Sequence, residues 1–445
     1  MSARYSGNKA AVLGAGLSGS SAALLLRDEG ADVTVFDSAD ERRLLKSTIE
    51  NLRAHNIDVV AGARAEKDAG NYDLVIISPG IDPASKLATH FVAKNAEVIG
   101  ELELGWRHTT SPVVAITGTN GKTTTTELTA QMLNGAGQRT VACGNIGKPL
   151  CEVVRARDEY DVLTIEVSSF QLETIREFKP QIAVWLNFAP DHLDRYSSIG
   201  QYRAAKLRIF ENQTADDVAV LNAAERLPKL TARRLTFSAY ADDADFRFSE
   251  GTIFYGGERV MRMAETKLRG SHNIENLMAA LAVGTARGLA FDKLVPSLTA
   301  YEPRPHRCEF VREIDGVTFI NDSKATNLDA LEAALRSQTK PVVLIAGGKD
   351  KGFDFQPLRD AVAEKVKSVV LIGEMAKRIC SDWKSVVPCE LAESLAQAVD
   401  RSRALAHAGD VVLFSPGTSS FDMFKSYVDR GDQFRSLVQA LPDKP

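Results

Sequence analysis

The chain has 445 residues, 44% of them apolar and 25% charged, with a formal net charge of −4. That length calls for roughly two to four separate cores. The near-even charge leaves no positive field for nucleic acid, and no apolar run reaches the ~20 residues of a membrane span.

The polar start, Met1 to Lys9, leads straight into a strand-like run without a signal-peptide pattern. Five cysteines (Cys143, Cys151, Cys308, Cys380, Cys389) show no C-x-x-C spacing, which fits reduced thiols in a cytoplasmic protein better than disulfides or zinc. A cytoplasmic monomer with small-molecule substrates, and neither nucleic acid nor membrane as partner, is the expectation.

Short β-branched runs alternate with helical patterns throughout, which predicts an α/β protein built on parallel sheets. Three blocks separate: 1–100, 101–301 and 302–445. In the first, the strand Ala10–Leu13 runs into Gly14-Ala15-Gly16-Leu17-Ser18-Gly19, followed by a helix over about Ser20–Glu29. A second strand, Asp32–Phe36, ends at Asp37, and a later run, Leu74–Ile77, ends in Ser78-Pro79-Gly80. The G-x-G-x-x-G spacing with an acid about 20 residues on suits a nucleotide whose phosphates rest on a helix N-terminus. A ligand-free tight turn would use the same glycines.

The second block opens with the strand Val113–Thr117 and Gly118-Thr119-Asn120-Gly121-Lys122-Thr123. This is the working end of a P-loop: backbone N–H groups cradle phosphates, Lys122 reaches the β- and γ-phosphates, and Thr123 can hold Mg²⁺. Ile116 stands where the full pattern has its first glycine, so the loop is a shortened variant. Further strands are predicted at Val162–Glu166, Ile182–Leu186 and Val218–Leu221, and a helix at Asn276–Ala286. Glu166 at a strand end points to the ligand edge and could face Thr123 across a metal, although solvated strand-end acids are common. Asp191-His192-Leu193-Asp194 follows another apolar run. Taken alone, His192 reads as an ordinary imidazole and Lys206, in a helical stretch, as a solvated lysine. Tyr301–Pro305 reads as a linker. The third block then carries strands at Phe319–Asn321, Val342–Ala346, Val369–Ile372 and Val411–Phe414.

The motifs in their order resemble the Mur ligase family: Gly118–Thr123, Gly144-Asn145-Ile146-Gly147, Glu166–Leu172, Asp191–Tyr196, Ala205-Lys206, His272-Asn273 with Asn276, Pro305-His306-Arg307 and Asn321–Asn327. The resemblance covers essentially the whole chain. It implies three α/β domains: an N-terminal Rossmann-like parallel sheet binding UDP, a central P-loop ATPase domain, and a C-terminal Rossmann-like domain. The N-terminal glycine motif and the wording of Glu166–Leu172 point to the members acting on UDP-N-acetylmuramoyl-L-alanine, ATP and D-glutamate in peptidoglycan precursor synthesis. The handedness of the glutamate depends on three-point geometry that residue identity does not give.

By that resemblance the sugar nucleotide meets Gly14, Gly16, Leu17, Ser18, Gly19, Asp37, Ser38, Ser78, Pro79, Gly80, Asn145 and Ser168. ATP meets Gly118, Thr119, Asn120, Gly121, Lys122, Thr123, Thr124, Asn273, Asn276, Arg307 and Asp322. Lys324, Thr326, Lys351, Ser420, Phe421 and Tyr427 hold the amino acid, Tyr427 standing where well-known relatives have phenylalanine. Lys122, Glu166, His192 and Lys206 are implied to be catalytic. Two Mg²⁺, replaceable by Mn²⁺, are implied on Thr123, Glu166, His192 and a carbamylated Lys206. An acyl phosphate attacked by the glutamate amine would be the route, with domain closure keeping water out. A dehydrogenase using NAD(P) would leave Lys122, Glu166 and His192 without a task. A P-loop NTPase driving partner binding would leave the first and third blocks unexplained. Folylpolyglutamate synthetase shares the ATPase core, but the N-terminal glycine motif counts against it.

Overall fold

Short runs of three to seven residues, apolar in the central strands and more polar at the edges, become the strands of three sheets in the computed structural model. The structure describes residues 4–67, 70–92, 96–193, 195–268 and 270–442. The first sheet holds β1 (Lys9–Leu13), β2 (Asp32–Asp37), β3 (Asp58–Ala61), β4 (Leu74–Ile77) and β5 (Glu97–Gly100), all parallel in the order β3-β2-β1-β4-β5. Every residue of β4 is buried, as expected of a strand covered on both faces. Strand order reverses between β1 and β4, so the crevice at their C-terminal ends is the natural ligand position.

The second sheet contains β6 (Val113–Thr117), β7 (Ala142–Gly144), β8 (Leu163–Glu166), β9 (Ile182–Trp185), β10 (Val218–Asn222), β11 (Arg233–Ser238), β12 (Phe246–Ser249), β13 (Thr252–Tyr255) and β14 (Glu258–Arg262). Its order is β14-β13-β12-β11-β10-β9-β6-β8-β7, and β7 through β12 pair in parallel. At its far end β12 turns back on β13 through Glu250 and Gly251, both at positive φ, the conformation a two-residue hairpin requires.

The third sheet holds β15 (Glu309–Ile314), β16 (Val317–Asn321), β17 (Val342–Gly347), β18 (Val366–Ile372), β19 (Cys389–Leu391) and β20 (Val411–Phe414). Its order is β15-β16-β20-β17-β18-β19, with only the β15–β16 pair antiparallel among them. Apolar clusters cover both faces, one around Trp383 and Phe355 and the other around Phe414 and Phe434.

By compactness the chain forms two units. Met1–Phe188, Gly200–Met261 and Asn276–Leu298 make one, which carries the first and second sheets; Ala189–Ile199, Arg262–Glu275 and Thr299–Pro445 make the other, which carries the third. Among the described residues no helix is long and apolar enough to cross a membrane. The first helix starts at Leu17 rather than Ser20, because Gly16 already serves as its cap, and the helix holding Asn276 starts at Ser271.

Candidate functional site

β6 is buried along its whole length and delivers the chain to Gly118 at the C-terminal edge of the second sheet. Two glycines then shape the loop. Gly118 has φ +157°, where a Cβ would press to 2.9 Å from Leu186 Cβ; Gly121 has φ +81°, where a Cβ would collide with Asn276 Oδ1. Only glycine fits such a close approach without strain. Gly121 caps the helix Lys122–Gly135, and Thr125 Oγ1 donates to Asn276 Oδ1 at 3.1 Å, so Asn276 is fixed beside the loop.

Asn187, which the sequence reading passed over, holds the loop from the other side. Its Oδ1 accepts from Thr119 N at 3.1 Å and Asn120 N at 2.9 Å, and its Nδ2 donates to Asn120 O at 3.2 Å. The signal for it was its place directly after the apolar run of β9. Tyr202 lies 3.3 Å from Thr119 Oγ1 through its hydroxyl.

Two ammonium groups converge on this loop. Lys122 Nζ donates to Gly118 O at 2.9 Å and Thr119 O at 2.8 Å, and Lys206 Nζ donates to Gly118 O at 2.7 Å. Lys206 is only 1% exposed and stands 4.9 Å over the Tyr202 ring. The helix pattern alone suggested a solvated lysine; the structure corrects this, since the helix Ile199–Leu207 turns that face into the loop.

Glu166, at the end of β8, is 2% exposed rather than solvated. Its Oε1 accepts from Asn145 Nδ2 at 2.8 Å, and among the described residues its Oε2 is buried without a hydrogen-bond partner. A buried carboxylate oxygen left unpaired is costly unless a cation or proton answers it. Asn145, grouped by sequence with the sugar-nucleotide residues, is thus also a direct partner of Glu166. Ser168 caps the short helix Ser169–Leu172 in a reciprocal box with Gln171.

In the first sheet, Gly14 has φ +98° and its N–H donates to Phe36 O at 2.7 Å, while a Cβ at Gly19 would collide with Gly14 O. Asp37 accepts from Ala15 N at 2.9 Å and from Ala39 N at 2.8 Å, so its carboxylate shapes the glycine turn. Ser78, buried at the end of β4, closes the crevice against Gly14. Leu17 is 68% exposed at its rim, and Ser38 and Gly80 are exposed too.

In the second unit, Asp191 Oδ1 accepts from Lys351 Nζ at 2.5 Å and from His192 N at 2.8 Å, and its Oδ2 from Asn327 Nδ2 at 3.3 Å. Burial disfavours the charged carboxylate, but Lys351 and His192 outweigh it and hold Asp191 below its ordinary pKa. His192 adopts φ +55°, a conformation that costs a non-glycine residue energy and often marks a functional position. Asp194 lies outside the described residues.

Asp322 accepts from Ser415 Oγ at 2.8 Å and Cys308 N at 3.1 Å; burial pushes it up to about 6 despite these bonds. His272 is pushed down to about 4 by burial and by Arg307. Asn273 follows it at the start of the helix that carries Asn276. Lys324 Nζ sits 4.2 Å over the Tyr427 ring, a cation–π arrangement open to tyrosine and phenylalanine alike. Ser420 is buried, Thr326 half-buried, and Phe421 67% exposed.

Beneath these residues lies Arg430, also missed by the sequence reading. It is fully buried and donates to Ser323 Oγ at 3.0 Å, Ser323 O at 2.8 Å and Thr418 O at 3.2 Å. It therefore pins the loop carrying Lys324 to the loop carrying Ser420.

Three family models match in succession: the MurD-like N-terminal domain of Mur ligases over residues 8–100, the Mur ligase middle domain over 116–284, and the Mur ligase glutamate ligase domain over 306–417. A UDP-N-acetylmuramoylalanine–D-glutamate ligase of Geotalea uraniireducens is 44% identical, with 98% of each chain covered. That of Syntrophotalea carbinolica is 40% identical over 99% of both. Among solved structures, MurF of Thermotoga maritima in complex with ADP aligns with a TM-score of 0.62 at 17% identity, covering 92% of this chain and 95% of that one. UDP-N-acetylmuramate–alanine ligase MurC of the same organism aligns at 0.60 and 19%, covering 97% and 99%.

Proposed function

We propose that this chain, which belongs to the Mur ligase family, joins D-glutamate to UDP-N-acetylmuramoyl-L-alanine with cleavage of ATP, a step of peptidoglycan precursor synthesis. The observation that supports the reading best is the glycine-shaped loop Gly118–Thr123, onto whose carbonyls Lys122 folds, in a chain whose relatives of that name match it over 98–99% of its length. The chemistry suits this arrangement. A carboxylate resists nucleophiles because it is negative. Transfer of the γ-phosphoryl group to it makes a mixed anhydride, which the glutamate amine opens to an amide and phosphate. Charge gathers on the phosphoryl oxygens, so fixed cations matter more than acid–base groups.

The residues fit Mg²⁺. Glu166 offers an unpaired buried oxygen and Thr123 a hydroxyl on the first turn of the helix. Among the described residues no three His, Cys, Asp or Glu side chains cluster for a metal, so an ion would draw on that hydroxyl and on phosphate oxygens. When bound, it would offset the phosphoryl charge. Lys206 and His192 are assigned to a second ion, Lys206 as a carbamate; the carbamate nitrogen keeps one N–H, which can still donate to Gly118 O. Mn²⁺ should substitute for Mg²⁺. Arg307, Asp322 and Asn273 are assigned to ATP, and Lys324, Thr326, Lys351, Ser420, Phe421 and Tyr427 to glutamate. The proposal takes the enzyme as a cytoplasmic monomer.

The test is phosphate release from ATP with UDP-N-acetylmuramoyl-L-alanine and a panel of D- and L-amino acids, with product mass measured. Release that needs both the nucleotide and D-glutamate is expected. Release indifferent to the nucleotide, or a product with another amino acid instead, would overturn the reading.

A further inference from the structure

Glu101 is the first residue after β5, at the C-terminal edge of the first sheet, yet its carboxyl serves the second. It is 1% exposed. Its Oε1 accepts from Cys151 N at 2.7 Å, and the Cys151 thiol donates to Glu101 O at 3.3 Å. Cys151 lies in the first turn of the helix Leu150–Arg155, and that helix begins where the loop Gly144–Pro149 ends. The loop is shaped at its other end by Gly144, φ +94°, whose N–H donates to Lys148 O at 2.9 Å, and by Asn145, whose N–H donates to Glu166 O at 2.9 Å. Asn145 Nδ2 is the group that reaches Glu166 Oε1.

One short path of hydrogen bonds and rigid turns therefore joins the exit of the UDP-side sheet to Asn145 and the carboxylate beside the phosphate cradle. Nothing about burial alone asks for an acid at position 101: among the described residues its Oε2 is buried without a hydrogen-bond partner, which an apolar side chain would avoid. The neighbouring acid, Glu103, supplies the purely mechanical tie between the sheets, accepting from Arg107 Nε at 2.9 Å and from the backbone N–H groups of Arg176 and Phe178 at 3.0 and 2.9 Å. Glu101 is attached instead to the loop that carries site residues.

We propose that Glu101 is a positioning residue for the reaction: by accepting the Cys151 N–H it fixes the Gly144–Pro149 loop and so sets Asn145 against Glu166 and the sugar nucleotide. This rests on the ligase reading above and adds to it a residue that touches no substrate.

The test is a double-mutant cycle in the full chain. Glu101→Met keeps length and bulk without the acceptor; Glu101→Gln keeps an acceptor oxygen. Glu101→Met should raise KM for UDP-N-acetylmuramoyl-L-alanine about tenfold and leave KM for ATP within about twofold, and Glu101→Gln should stay near wild type. Combined with Asn145→Ala, Glu101→Met should add little, since both act through one loop. Additive losses, or equal changes in both KM values, would overturn the proposal. Hydrogen exchange on the wild-type protein keeps it testable if Glu101→Met does not fold: the Cys151 amide should be protected as strongly as the strands of the second sheet, and fast exchange there would overturn it. Failure of the wild type to ligate at all would sink the ligase reading instead, while leaving the Cys151 protection untouched.

Discussion

Replacing the buried guanidinium of Arg430 tests how the loops of Lys324 and Ser420, proposed to hold glutamate, are fixed. Arg430→Met removes three donated hydrogen bonds, to Ser323 Oγ, Ser323 O and Thr418 O, and leaves two carbonyl oxygens unanswered. Bonds from a charged donor contribute about 1.5–3 kcal/mol each, so the gross loss is about 6 kcal/mol. Against it stands the relief of an unfavourable charge. Burial lowers the Arg430 pKa to about 10, opposed only in part by Asp422 and Asp322, and that lowering corresponds to about 3 kcal/mol. The two terms offset to a net loss of about 3 kcal/mol, half the gross change, and Tm should fall by about 6–12 °C for a unit of this size. Function should suffer more than stability suggests, because the loop of Lys324 and the loop of Ser420 lose their common pin. KM for D-glutamate should rise by about tenfold or more, with KM for ATP moving far less. Steady-state kinetics beside a melting curve reads both quantities. A lowered Tm with unchanged glutamate KM would show that Arg430 only fills the core, and the coupling argued here would be wrong.

Other outcomes follow from the same geometry. Lys122→Ala should lower kcat by about 10²-fold or more, since a fixed cation at a developing anion is lost, and should lower Tm modestly, since Gly118 O and Thr119 O lose their shared donor; near-normal ligation would remove the loop as phosphate cradle. Lys206→Ala should be nearly inactive and partly restored by acetate, which can supply a carboxylate, whereas Lys206→Arg should not recover because it keeps the positive charge; full activity of Lys206→Ala would refute the carbamate. Burial pushes the Glu101 carboxyl up to about 7 against an ordinary 4.5, opposed only in part by the backbone N–H groups of Cys151 and Leu150 and by the Cys151 side chain. A raised carboxyl pKa means that the folded state holds its proton more tightly, so this group removes stability as pH climbs from 4.5 to about 7. Glu101→Gln should abolish that slope and gain on wild type by up to about 3 kcal/mol at pH 8 relative to pH 5 in urea melts; an equal difference at both pH values would contradict it.

The residues that were legible in sequence are those whose local pattern carries its own reason. Val113–Thr117 reads as a strand because it is apolar and β-branched up to its closing threonine, and Gly118–Thr123 reads as a phosphate loop because glycine, lysine and threonine at a strand end have no packing purpose. The three sheets were foreseen from their central strands. Their edges were not: β14 is Glu-Arg-Val-Met-Arg and β3 has no buried residue, so neither carries the apolar signature of an interior strand. Lys206 shows the sharper limit. A lysine in an amphipathic stretch carries no mark of burial in its own neighbourhood, and its position inside the loop comes from the helix Ile199–Leu207 meeting a strand end more than eighty residues earlier, at Gly118. Only the resemblance gave it weight. Arg430 and Glu101 had not even that help. Each sits among ordinary helix residues, and each matters through backbone groups of distant loops, Ser323 and Thr418 for the one and Cys151 for the other. Side chains that touch a ligand are constrained to recognisable types at recognisable strand ends. Side chains that hold those in place are constrained only by where the backbone N–H and C=O groups fall, and that is decided by tertiary packing.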